Sequence, residues 1–207
     1  MSLTLKENAK SGEFEIAPIG NHLAIAYQMI DLGEQYSAAY DKWQPKVRIG
    51  WELCNEKMAD GRPFMVASTY TMSFNEKAIL RRDLESWRGR PFTEEELAGF
   101  DLKNVLGKSC MVNLVHNTAN NGKTYANVKS VAAVPKGMAL CEQANENMVF
   151  EFGDQGYDMD KFLALPAWLQ EQIQKSRTYE VLSRENGANQ ERDVAFKDDF
   201  GDDDIPF

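Results

Sequence analysis

Between Lys123 and Lys129 every second residue carries a group suited to a charged, planar ligand: Lys123, Tyr125, Asn127 and Lys129. On an extended strand alternate side chains share a face, so this spacing aligns charge, ring and amide on one surface. Cations that follow phosphates and rings on which bases stack are the two ingredients of single-strand nucleic-acid binding. Core packing is the competing role for Tyr125. Lys46 and Arg48 repeat the theme, because they alternate with apolar residues and point away from a core face. Arg81, Arg82, Arg88 and Arg90 flank Trp87 and mark a helix end as a groove wall. Against that, Trp87 also fits the helix's apolar stripe, and Asp83 and Glu85 are available to pair with the arginines. Tyr36, Tyr40 and Trp43 fall in one aperiodic stretch and are candidates for a mobile clamp.

Covalent chemistry finds no comparable set. The chain has two histidines, His22 and His116, and no nucleophile elbow, phosphate loop or spaced metal ligands. Glu94, Glu95 and Glu96 suit the positive end of a helix better than a metal cluster. Scattered carboxylates leave two-metal nuclease chemistry as the remaining catalytic reading. The expectation is a protein that is not an enzyme and uses neither metal nor cofactor.

The net charge of -9 is unevenly spread. Residues 1–135 hold 16 Lys/Arg against 16 Asp/Glu, whereas residues 136–207 hold seven against 16. Residues 42–129 carry 14 basic and 10 acidic side chains, so a mildly basic body bears an acidic appendage. Binding responds to the local field, so the total does not exclude a polyanionic ligand. Cys54, Cys141 and Cys110 are odd in number, far apart and without a C-x-x-C pair. That pattern predicts neither a disulfide framework nor a zinc site, and it fits a reducing, cytoplasmic setting. No apolar run approaches the roughly 20 residues of a membrane helix, so no membrane association is expected.

The positioning elements follow from periodicity. Residues 22–31 are apolar-rich, with Ile25, Tyr27 and Met29 alternating, and predict a strand ended by Asp31-Leu32-Gly33. Residues 35–43 predict a loop or short helix. Pro45 opens a second strand in which Val47, Ile49, Trp51 and Leu53 take the core face, and Lys46, Arg48 and Glu52 the other. Asp60-Gly61 predicts a hairpin loop to a third strand, residues 63–72, with Phe64, Val66 and Tyr70 inward. Ser73 and Glu76 have capping-box spacing before a helix with the stripe Ala78, Leu80, Leu84 and Trp87, stopped by Gly89 and Pro91. Thr93 and Glu96 predict a second box for a short helix to Phe100, and residues 101–106 one more turn. Residues 108–116 and 123–134 predict two further strands about an Asn120-Asn121-Gly122 turn.

Three strands, a helical segment and two more strands is the element order of a five-stranded oligonucleotide-binding (OB) barrel, with its helix between strands 3 and 4. The expected fold is mainly β with inserted helices. A polar leader (1–19) precedes an OB-like barrel (20–137). An extension (138–184) then packs on the body, with a short strand at 148–152 and a C-terminal helix at 166–184 that docks through Trp168, Ile173 and Tyr179. A polar linker and disordered acidic tail (185–207) follow.

The tail ends Asp202-Asp203-Asp204-Ile205-Pro206-Phe207. Like charges keep such a segment extended, Pro206 lowers the entropy lost on capture, and Ile205 and Phe207 offer apolar groups to a pocket with a basic rim. This ending resembles the partner-recruiting tip of bacterial single-stranded DNA-binding proteins. The body, in the runs KVRIGWEL (46–53), NEKAILRRDLESWRGRP (75–91), FDLKNVLG (100–107) and KTYANV (123–128), together with Asp31-Leu32-Gly33, resembles a family of tailed-phage single-stranded DNA-binding proteins with an OB-type core. The resemblance implies sequence-independent binding of single-stranded DNA in phage replication or recombination, inside the host cytoplasm. It also implies recruitment of replication and recombination enzymes through Asp202, Asp203, Asp204, Ile205, Pro206 and Phe207. The alternatives are a protein-interaction adaptor of the replication machinery and an OB protein preferring duplex DNA or RNA. Self-association is left open.

Overall fold

The computed structural model describes residues 15–119, 122–153 and 156–184. Most of the leader, part of the Asn120–Gly122 turn, the linker and the acidic tail lie outside these residues.

The element order is β1 (Gly20–Ser37), β2 (Lys42–Lys57), β3 (Pro63–Thr71), α1 (Ile79–Arg88), α2 (Glu94–Ala98), a 3-10 turn (Leu102–Val105), β4 (Ser109–Thr118) and β5 (Thr124–Ala132). After it come β6 (Met148–Phe150), β7 (Phe152–Gly153), β8 (Gly156–Tyr157), α3 (Met159–Ala164) and α4 (Ala167–Gln174), with residues 177–184 again helical. The fold is mainly β. Among the described residues one sheet has six strands in the order β3-β2-β1-β4-β5, with β6 added parallel to β1, and its path ends at β3 and β5. A two-stranded sheet pairs β7 with β8.

Two compact units are interleaved along the chain. Among the described residues one takes 15–27, Gly50–Ser68 and Asp83–Glu146; the other takes Gln28–Ile49, Thr69–Arg82 and 147–184. β1, β2 and β3 each contribute residues to both.

In the first unit the predicted core residues Trp51 and Leu53 of β2 are each 1 % exposed. Leu84 and Trp87 of α1 are buried, and the Trp87 ring centre lies 6.1 Å from that of Trp51. Gly89 adopts φ 69°, and Arg90 N donates to Glu85 O at 3.2 Å, the 6→1 bond that closes a helix end on a left-handed residue. The Thr93–Glu96 capping box is present at α2. The Ser73–Glu76 box is not. Asn75 N donates to Ser73 Oγ and Lys77 N to Asn75 Oδ1, so two successive side-chain turns occupy this stretch and the helix starts at Ile79.

Three expectations need correction here. Glu52 does not face solvent; it is 2 % exposed, and its carboxylate accepts from Ala144 N, Asn145 N and Asn145 Nδ2. Alternation predicts a face, but it does not show that a later segment covers that face. Cys54 and Cys141, 87 positions apart in sequence, form a disulfide with Cα atoms 5.8 Å apart. Sequence distance carries no information about this approach, because the loop that brings Cys141 back has no periodicity to extend. In the second unit, Asp31-Leu32-Gly33 does not end the first strand, which runs to Ser37. Gly33 takes φ 66° within the strand, and its N–H donates to Asp31 Oδ1 at 2.8 Å. Desolvation by burial raises the Asp31 pKa.

The second unit has its own core of Ile30, Leu32, Phe150, Phe162, Leu165, Leu169 and Ile173. The predicted C-terminal helix breaks at Lys175–Ser176, where the buried Ser176 sits against Gly33. Ile173 is fully buried in this core, and Tyr179 packs on Tyr157 and Phe162, which belong to the extension itself. Trp168 instead remains 52 % exposed.

Candidate nucleic-acid interface

In the first unit β5 pairs antiparallel with β4, and its register slips between Asn113 and Leu114. Val128 faces Leu114 and Ser130 faces Asn113, so Lys129 is the additional residue of a β-bulge. Tyr125, Asn127 and Lys129 are all on the exposed side, with Tyr125 44 % exposed, which removes the core role for that ring. Lys123 is exposed just ahead of the strand. Asn117 stands opposite Tyr125, and Asn113 Nδ2 donates to Asn21 Oδ1 at 2.8 Å, so amides extend this face across β4 to β1.

The arginines at the end of α1 are arranged differently from the expected groove wall. Trp87 is 8 % exposed and its Nε1 donates to Ser109 O at 2.9 Å, so the ring is a core element with a satisfied polar tip. The Arg88 guanidinium lies 4.2 Å from the Phe92 ring centre and 5.2 Å from that of Phe100, and it pairs with Glu96. Arg90 grips the same carboxylate through two bonds, of 2.6 and 2.9 Å. These arginine bonds, led by that of Arg90, together with the Thr93 N–H hold the Glu96 carboxyl down at about 2. Two guanidiniums against one carboxylate leave a single positive charge. Glu96 was legible only as a capping residue; its second role depends on α2 folding back beside the end of α1.

In the second unit Arg81 is half-buried, with Nη1 donating to Phe74 O at 3.0 Å, and Arg82 is exposed. Lys46 Nζ donates to Thr71 Oγ1 at 2.6 Å and to Gln44 Oε1 at 3.2 Å, both neutral acceptors. Burial lowers the Lys46 pKa. The Arg48 guanidinium lies 4.9 Å from the centre of the Trp168 ring.

The stretch expected as a loop or short helix is the tip of a two-stranded ribbon. β1 ends at Ser37, Tyr40 N donates to Ser37 O, Asp41 adopts a left-handed φ of 49°, and β2 begins at Lys42. Tyr36, Tyr40 and Trp43 are 53 %, 71 % and 39 % exposed. Tyr36 and Trp43 meet edge to face at 5.6 Å, and Lys42 Nζ lies 5.8 Å from the Tyr40 ring centre. The Tyr36 hydroxyl donates to Asp41, which raises its pKa.

Each unit thus presents rings and cations to solvent, the means of binding unstacked bases and phosphates. No protein-family model matches the chain, and no curated protein matches it.

Proposed function

We propose that this protein binds single-stranded DNA without sequence preference, in phage replication or recombination, and that its acidic tail recruits partner enzymes. The observation that carries the first part is the exposed cluster of Tyr36, Tyr40 and Trp43 with Lys42 at the β1–β2 tip. Large rings are usually buried, and several of them beside a cation at a ribbon tip suit stacking on bases of any identity. The strand order β3-β2-β1-β4-β5, with helices between β3 and β4, supports an OB reading in which the β3–β5 seam is open. OB folds are partly open barrels that use the loop between their first two strands for oligonucleotides. The face of Tyr125, Asn127 and Lys129 is a further contact surface of the same chemistry.

The recruitment part rests on the tail's likeness to bacterial partner-binding tips. Phe207 enters a pocket on the partner while Asp202, Asp203 and Asp204 meet a basic rim. As a short polyanion the tail also competes with DNA for the body.

Titration of oligo-dT into the full chain at two salt concentrations tests the reading. Expected is binding that quenches tryptophan emission, weakens as salt rises, and resists competition by duplex DNA or RNA. Absence of oligo-dT binding would refute it and favour a protein adaptor. Deleting residues 198–207 should tighten binding at low salt and abolish partner capture.

A further inference from the structure

The second unit brings a part of the C-terminal extension to β2. Lys42, Gln44, Lys46 and Arg48 alternate with Trp43, Pro45 and the buried Val47, so they share one side of the strand. Lys46 and Arg48 are two residues apart, about 7 Å along the strand. Lys46 is half-buried, yet its acceptors Thr71 Oγ1 and Gln44 Oε1 are both neutral. An ammonium has three donors, and burying a charge without a counter-charge is costly, so the third donor suits an anionic oxygen.

Next to Lys46 on the same side, Arg48 lies 4.9 Å from the Trp168 ring centre. Trp168 belongs to α4, which buries Leu169 and Ile173 but leaves the indole 52 % exposed. A guanidinium against an indole fixes the ring and leaves its remaining surface as a platform. An immobilised aromatic beside Lys46, whose bonded acceptors among the described residues are neutral, is what a single nucleotide unit needs: stacking for the base, charge for the phosphate.

We propose that Trp168 and Lys46 form a nucleotide-binding subsite on the outer side of β2, with Trp168, braced by Arg48, stacking on a base of single-stranded DNA while Lys46 takes the adjacent phosphate. This inference rests on the single-strand reading above and assigns the C-terminal extension a part in binding DNA. It departs from the docking role that sequence suggests for Trp168.

The test uses the full chain with oligo-dT and the variants Trp168→Ala, Trp168→Phe and Lys46→Gln. Trp168→Ala should bind on the order of ten-fold more weakly, and Trp168→Phe should recover most of the loss. Lys46→Gln should weaken binding and reduce the slope of log affinity against log salt by about 0.7, the share of one phosphate on a single strand. Trp51 and Trp87 are buried, so Trp43→Phe leaves Trp168 as the exposed indole among the four. That variant should still be quenched by oligo-dT, and Trp43→Phe combined with Trp168→Phe should not. Wild-type binding with unchanged affinity and slope in the variants overturns the subsite and leaves the single-strand reading standing. A wild-type chain that does not bind oligo-dT overturns both.

Discussion

Glu52 and Asn145 are joined by two hydrogen bonds on one carboxylate oxygen: Glu52 Oε2 accepts from Asn145 N at 2.9 Å and from Asn145 Nδ2 at 2.5 Å. The other oxygen accepts from Ala144 N, also at 2.5 Å, and the side chain is 2 % exposed. Removing the acceptor takes the shared partner from three part-buried donors and empties a buried position. Glu52→Ala should therefore cost about 1–3 kcal/mol, read as a lower urea midpoint.

The Cys54–Cys141 bond closes a long loop in the same unit. Dithiothreitol, or Cys54→Ser with Cys141→Ser, should lower stability by about 2–5 kcal/mol. Intact-mass analysis under non-reducing conditions should show one disulfide. Cys110 is fully buried, and desolvation pushes its thiol pKa far up, so it should resist alkylation until the chain unfolds.

Gly33 and Gly122 both have left-handed φ, of 66° and 77°, in different surroundings. A Cβ on Gly33 would stand 2.7 Å from Ser176 Oγ, whereas one on Gly122 meets nothing within 4 Å. Gly122→Ala should cost about 1 kcal/mol from backbone strain alone, and Gly33→Ala about 3 kcal/mol or more. Thermal unfolding of the two variants checks the ordering.

Glu96 is held at about 2 in the fold, below its ordinary 4.5, by Arg90, the Thr93 N–H and Arg88. A depressed carboxyl pKa contributes stability above the unfolded value, and that stability is lost as pH falls through the folded value. The difference in unfolding midpoint between wild type and Glu96→Gln should be constant from pH 7 to about 5. It should shrink from there to about pH 2.

Tyr40 and Trp43 project from the ribbon tip, with 71 % and 39 % of their surface exposed. Replacing either by Ala should change stability by about 0.5 kcal/mol or less, as for other surface positions. Each should weaken oligo-dT binding on the order of ten-fold. Equal affinity in both variants would remove the tip from the interface.

Much of the local structure was legible because it depends on neighbours in sequence. The core face Val47, Ile49, Trp51 and Leu53 follows from strand alternation, the Thr93–Glu96 box from helix-end chemistry, and the exposed side of Tyr125, Asn127 and Lys129 from the period of two. Ser73–Glu76 shows the limit, since the same spacing is satisfied by side-chain turns that begin no helix. Trp87 fits two local patterns equally, and only the nearby Trp51 and Ser109 carbonyl decide that it is core.

By itself, the sequence determined the mainly β order of elements, the helices between the third and fourth strands, the basic middle and the acidic end. These are set by periodicity, capping and charge, which act over a few residues. The tertiary structure alone decided that Glu52 is clamped by residues 144–145, that Cys54 meets Cys141, and that Trp168 lies over Arg48. Each of these joins residues distant in the chain, and their meeting depends on how covering segments return to the sheet, which no local spacing encodes.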